Sequence, residues 1–123
     1  MAYIDDTHIL HSKAQDHVRD VTASSDVYVP SPALLELDLV LKSNQYTFEE
    51  RKATFRLLES PIPPDKVLKV TPEIMKRVTE FDRLATWTSH YFDSMVAAVA
   101  ENCGAEVVTT DAKIPLLGVK TSW

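Results

Sequence analysis

The sequence predicts an α/β fold, a parallel sheet of four to five short strands covered by helices on both faces. Two observations carry that prediction. Short apolar runs (Ala2–Ile4, Val27–Val29, Val67–Val70, Val107–Val108), three of them with two valines each, alternate with segments of helical length and periodicity. That alternation is the order of strand–helix–strand units, which build parallel sheets. Helix starts are also marked twice by the same pair, Ser31-Pro32 and Thr71-Pro72. In each, a capping hydroxyl precedes a proline whose fixed φ suits the first helical turn.

Each element has its own justification. Ala2-Tyr3-Ile4 predicts the first strand, ending at Asp5-Asp6. Ala14, Val18 and Val21 recur at helical spacing and predict an amphipathic helix. Val27-Tyr28-Val29 predicts a second strand, stopped by Pro30. The helix opened by Ser31-Pro32 runs to about Ser43 and carries Leu34, Leu35, Leu37, Leu39, Val40 and Leu41. Apolar almost all round, it is expected to be mostly buried. Thr47-Phe48-Glu49-Glu50 is a capping box, opening a helix that Pro61, Pro63 and Pro64 end. Val67–Val70 predicts the third strand. The helix after Thr71-Pro72 carries an Ile74, Val78, Phe81 stripe. Another helix begins near Tyr91 and ends at Asn102-Cys103-Gly104, with the glycine placed as a C-cap. Val107-Val108 predicts the fourth strand, and Val119 is a candidate fifth.

Composition narrows the class. A chain of 123 residues with 45% apolar side chains predicts one globular domain over 1–123. No apolar run approaches the roughly 20 residues of a membrane span. The opening MAYIDDTHIL has two acids and no basic leader, so it does not read as a secretion signal. Cys103 is the one cysteine, which excludes an internal disulfide and fits a reducing cytoplasm. A net charge of −5 argues against non-specific clamping of nucleic acid. Acids that hold divalent cations would reverse that sign locally.

Four carboxylates fall where this fold would gather them. Asp6 ends the first strand, Glu36 lies in the leucine-rich helix, Asp93 sits at a helix start, and Asp111 follows the valine strand. Parallel sheets bind ligands beyond the carboxyl ends of their strands. An acidic pocket there is how proteins hold Mg²⁺ or Mn²⁺ for phosphodiester chemistry. Taken singly, each acid has an ordinary explanation. Asp93 suits a first helical turn because of the helix dipole, and Asp111 suits a turn. Glu36 is harder to dismiss, because a carboxylate among leucines is expensive to bury alone. Asp38 is expected on the solvent side instead. The joint occurrence is what points to metal.

The same residues resemble a known family. Asp6-Thr7-His8-Ile9-Leu10 after a short apolar strand resembles the opening motif of PIN-domain nucleases. Ser31-Pro32-Ala33-Leu34-Leu35-Glu36-Leu37 is similar to their second acidic motif, and Phe92-Asp93-Ser94-Met95-Val96-Ala97-Ala98 to their third. Val107-Val108-Thr109-Thr110-Asp111, with Ile114 and Leu117-Gly118-Val119 after it, resembles the closing motif. The resemblance implies a three-layer α/β/α sandwich in which Asp6, Glu36, Asp93 and Asp111 ligate Mg²⁺ or Mn²⁺ and hydrolyse RNA. Thr7 and Thr109 would orient the carboxylates. Asp5 is the alternative first ligand, and the register of Thr7 to Leu10 favours Asp6. Many small single-domain members of this family are VapC-type toxins of toxin–antitoxin pairs, usually dimers, so a small antitoxin and a homodimer are the implied partners.

Other chemistry has less support. His8, His11, His17 and His90 show no zinc spacing. Cys103 lacks a CxxC partner and reads as a buried, inert thiol. Lys13, Arg51, Lys52, Arg56 and Lys113 are candidate RNA contacts, although charges on solvated helix faces are commonplace. Trp87, Tyr91 and Phe92 could stack bases or simply fill core. Two alternatives remain open. One is a PIN-like binding module without catalysis. The other is a phosphoacceptor domain resembling receiver domains, suggested by Ile4-Asp5-Asp6 but lacking an aspartate after strand three.

Overall fold

A computed structural model describes Asp16, Arg19, Ala23 and residues 27–84, 91–109 and 114–122. The order is β1 (Val29–Pro30), α1 (Ser31–Ser43), α2 (Phe48–Glu59), a 3₁₀ turn (Pro64–Lys66), β2 (Val67–Leu68), α3 (Pro72–Leu84), α4 (Tyr91–Asn102), β3 (Val107–Val108), a second 3₁₀ turn (Ile114–Leu117) and β4 (Thr121–Ser122). The expected strand Ala2–Ile4 and the expected helix around Ala14–Val21 lie outside the described residues.

The helices begin where local chemistry starts them. The Thr47 hydroxyl accepts from the Glu50 amide at 3.1 Å, and the Glu50 carboxylate accepts from the Thr47 amide at 2.9 Å. This closes the capping box and satisfies two donors that a helix start leaves bare. At α3, the Thr71 hydroxyl accepts from the Ile74 amide at 3.3 Å.

Two helices end in the same backbone motif. After α4, the Ala105 amide donates to the Ala100 carbonyl and the Gly104 amide to that of Glu101, with Gly104 at φ +66°. After α1, Tyr46 donates to Leu41 and Gln45 to Lys42, with Gln45 at φ +63°. Both are Schellman caps, which need one left-handed residue. Glycine takes that conformation freely, whereas a side chain makes it cost about 1 kcal/mol or more. Gln45→Gly should therefore raise stability by about 1 kcal/mol, read as a higher melting temperature. An unchanged or lower value would show that the glutamine is not strained.

The strands are shorter than the apolar runs suggest. β1 starts two residues late and takes in Pro30, β2 stops at Leu68, and the last strand falls at Thr121–Ser122 rather than Val119. Among the described residues they form two pairs, β1 with β2 and β3 with β4. β3 and β4 are parallel, with Val107 opposite Thr121 and Val108 opposite Ser122. A parallel pair needs a long crossover, and the segment containing the Ile114–Leu117 turn supplies it.

By its contacts the chain divides into two compact units, Met1–Val29 with Val40–Val67, and Pro30–Leu39 with Leu68–Trp123. In the first, Leu41, Thr54 and Leu58 are buried. The second has a core of Ile74, Val78 and Phe81 from α3, Met95, Ala97, Ala98 and Val99 from α4, and Leu117. The predicted Ile74–Val78–Phe81 stripe is the buried face of α3. At its edge, Arg77 donates to both Glu101 carboxylate oxygens at 2.6 and 3.2 Å, and to Glu80 at 2.6 Å. Its guanidinium lies 4.2 Å from the centroid of the Phe81 ring. The side-chain hydrogen bond to Glu101, then that to Glu80, holds Arg77 above the usual guanidinium range.

One expectation is corrected. α1 is not mostly buried: Pro32 and Leu41 are, but Leu35, Glu36 and Leu39 are exposed. A helix apolar on every side cannot bury every side against a small core, so some leucines remain at the surface.

Candidate metal centre

α4 builds the best-defined part of the site. Asp93 lies in its first turn, where the positive end of the helix dipole favours a carboxylate. Asp93 is only 8% exposed, and Ser94 beside it is fully buried. The aromatics that open the helix divide their roles. Tyr91 is half exposed, while Phe92 packs against the core, and their rings meet edge to face at 6.4 Å. Trp87 lies outside the described residues.

Glu36 belongs to the same compact unit as Asp93 but is exposed on α1. Asp38, expected to face solvent, is the more covered of the two. A burial cost therefore no longer singles Glu36 out. Each of Glu36 and Asp93 interacts with a neighbouring group. Asp6, the alternative Asp5, Thr7, Lys13, Asp111 and Lys113 lie outside the described residues. Thr109 is described: it is half-buried at the end of β3, and its amide donates to the Ser122 carbonyl at 2.7 Å. That bond fixes the backbone two residues before Asp111.

Among the described residues no three His, Cys, Asp or Glu side chains gather as a metal cage. Only two of the four acids are in that set. Carboxylate oxygens are the donors that Mg²⁺ and Mn²⁺ prefer, so the residue types at these positions fit such an ion. A shallow cavity of about 550 Å³ lies elsewhere, against Val70, Pro72, Met75 and Thr79, and no candidate acid lines it.

Arg51 is half-buried, and Lys52 and Arg56 are exposed on α2. Cys103 is exposed rather than buried, and its thiol donates to the Val99 carbonyl at 3.2 Å. It follows the last turn of α4, where the chain turns away from the core.

Ser94 was not singled out by sequence reasoning beyond its place in a motif. Its hydroxyl is buried and has no hydrogen-bond partner among the described residues. The sequence signal for it is slight, a small polar residue in an otherwise apolar helical run. An orphaned buried hydroxyl costs about 1–3 kcal/mol. Ser94→Ala should accordingly melt higher than the wild type, by the equivalent of about 1 kcal/mol. A lower melting temperature would mean that the hydroxyl has a partner in solution.

An acidic helix start, a second acid on a leucine-rich helix and short strands between helices make up an α/β arrangement. The chain matches the PIN domain family model over residues 1–120 and belongs to that family. PIN domains have an α/β fold, are generally nucleases and generally use divalent metals. No curated protein matches the chain. No helix of the described residues is long and apolar enough to cross a membrane.

Proposed function

We propose that this chain is a Mg²⁺- or Mn²⁺-dependent endoribonuclease, the VapC-type toxin of a toxin–antitoxin pair. The supporting observation is that the chain matches the PIN domain family over residues 1–120, a span that includes Asp6, Glu36, Asp93 and Asp111. Asp6, Glu36, Asp93 and Asp111 hold the metal, and Thr7 and Thr109 orient those carboxylates by hydrogen bonds. When bound, such an ion lowers the pKa of a water and neutralises charge on the leaving oxygen. Asp93 keeps a carboxylate in a largely water-excluded place, where it attracts a cation more strongly than it would in bulk water. No side chain acts as a nucleophile. The proposed architecture is a single domain with a three-layer α/β/α arrangement, whose parallel sheet of four to five strands includes Ala2–Ile4. A homodimer restrained by a small antitoxin is the proposed assembly.

The test is RNA cleavage by the purified chain with Mn²⁺ and with EDTA, alongside melting temperatures in the same buffers. A cation that binds only the folded state at 100 times its Kd adds about 2.7 kcal/mol. Glu36→Gln keeps the size and removes the charge. Because Glu36 is exposed, metal-free stability should move by less than about 1 kcal/mol. Cleavage and the Mn²⁺-induced rise in melting temperature should fall together. A variant that cleaves like the wild type would remove Glu36 from the metal site.

A further inference from the structure

α2 carries an exposed stripe on a different face from its buried side chains, Thr54 and Leu58. Phe48, Lys52 and Arg56 recur every four residues, so they share one face, each about 6 Å along the axis from the last. All three are exposed, Phe48 by 68%. Thr47 and Glu50 form the capping box, and the positions that staple a helix start are those of Tyr46 and Arg51. Phe48 is needed for neither. The Lys52 ammonium lies 5.8 Å from the centroid of the Phe48 ring, a cation over an aromatic face that is largely open to water.

A second such pair lies in the same compact unit. The Lys66 ammonium is 5.1 Å from the centroid of Tyr28, a ring that is 45% exposed. Their compact unit as a whole carries seven Lys and Arg against nine Asp and Glu, and the basic residues concentrate in one of its two segments. Residues 40–67 hold five Lys and Arg against four Asp and Glu, within a chain of net charge −5. Exposed rings beside cations suit a partner with flat π faces and a negatively charged backbone, which is the chemistry of single-stranded nucleic acid.

We propose that the Phe48–Lys52–Arg56 stripe grips single-stranded RNA, with Phe48 stacking a base and Lys52 and Arg56 meeting the flanking phosphates. The choice of RNA rests on the ribonuclease reading above. The stripe supplies affinity that is tolerant of sequence, because every base has a π face and a phosphate contact reads none.

The experiment measures binding of a fluorescein-labelled 12-nucleotide RNA to the full chain in EDTA, by anisotropy across a salt series. Wild type, Phe48→Leu, the double variant Lys52→Gln/Arg56→Gln, and Leu57→Ala are compared. Leu57 is 72% exposed on the opposite side of α2 and serves as the control. Loss of one stacked base weakens binding roughly 5- to 150-fold, which is expected for Phe48→Leu. The double variant should bind more weakly, with the slope of log K against log salt shallower by about 0.7 for each cation removed. Leu57→Ala should bind like the wild type. Circular dichroism of each variant establishes that α2 is intact.

The proposal is overturned by a wild type that does not bind the RNA, by variants that keep its affinity and salt slope, or by an acidic peptide that binds the stripe where RNA does not. The ribonuclease reading fails separately. A chain that binds RNA through this stripe but never cleaves it with Mn²⁺ keeps the grip and loses the nuclease. A chain that cleaves with Mn²⁺ while the variants bind like the wild type keeps the nuclease and loses the grip.

Discussion

Asp93→Asn is expected to leave the chain folded and to cut metal-dependent RNA cleavage by at least about 100-fold. Loss of a group that merely supports a metal ligand typically costs 10- to 100-fold, and loss of the ligand's charge should exceed that. Asparagine has nearly the shape of aspartate but presents a neutral oxygen, a poor ligand for a hard cation. The substitution also sits in a first helical turn, where asparagine is tolerated though the dipole interaction is lost, a change of about 0.3–1 kcal/mol. The measurement is the initial cleavage rate in Mn²⁺ together with the Mn²⁺-induced shift in melting temperature. Both should collapse. Wild-type cleavage by Asp93→Asn would show that this buried acid serves the fold alone.

Phe81→Ala is expected to have the largest effect on stability, a loss of about 3–5 kcal/mol. Phe81 is 1% exposed and shares its core with Ile74, Val78, Met95 and Val99. Its truncation leaves a cavity between α3 and α4 and removes the ring beneath the Arg77 guanidinium. Marginal stability of about 5–15 kcal/mol makes such a loss a large fraction of the whole. For a chain of this length the melting temperature should fall by roughly 10–20 °C. Leu84→Ala in the same helix is the control, since Leu84 is 60% exposed and should shift stability by no more than about 0.5 kcal/mol. Equal effects at the two positions would contradict the described core.

Helices were legible in the sequence because their starts are decided locally. The hydroxyls of Thr47 and Thr71 cap within three residues, and Gly104 sits where α4 needs a left-handed residue. The stripe of Ile74, Val78 and Phe81 could be read directly, because a helix with one apolar face has only one way to bury it. α1 was misread for the converse reason. Leucines all round give no direction, and only packing decides that Leu41 is buried while Leu35 and Leu39 stay exposed. Strand ends were likewise poorly placed, since a strand extends only as far as a neighbour pairs with it, and the neighbour is remote in sequence.

By itself the sequence determined the family and the local starts of α2 and α3. These depend on residue types at set spacings, which no distant contact can alter. Only the tertiary structure decided that Asp93 is buried and Glu36 exposed, that the Ser94 hydroxyl has no partner among the described residues, and that Arg77 ties α3 to Glu101 on α4. Burial and pairing are properties of whatever packs against a side chain. For these residues the packing neighbours come from segments that sequence spacing does not connect.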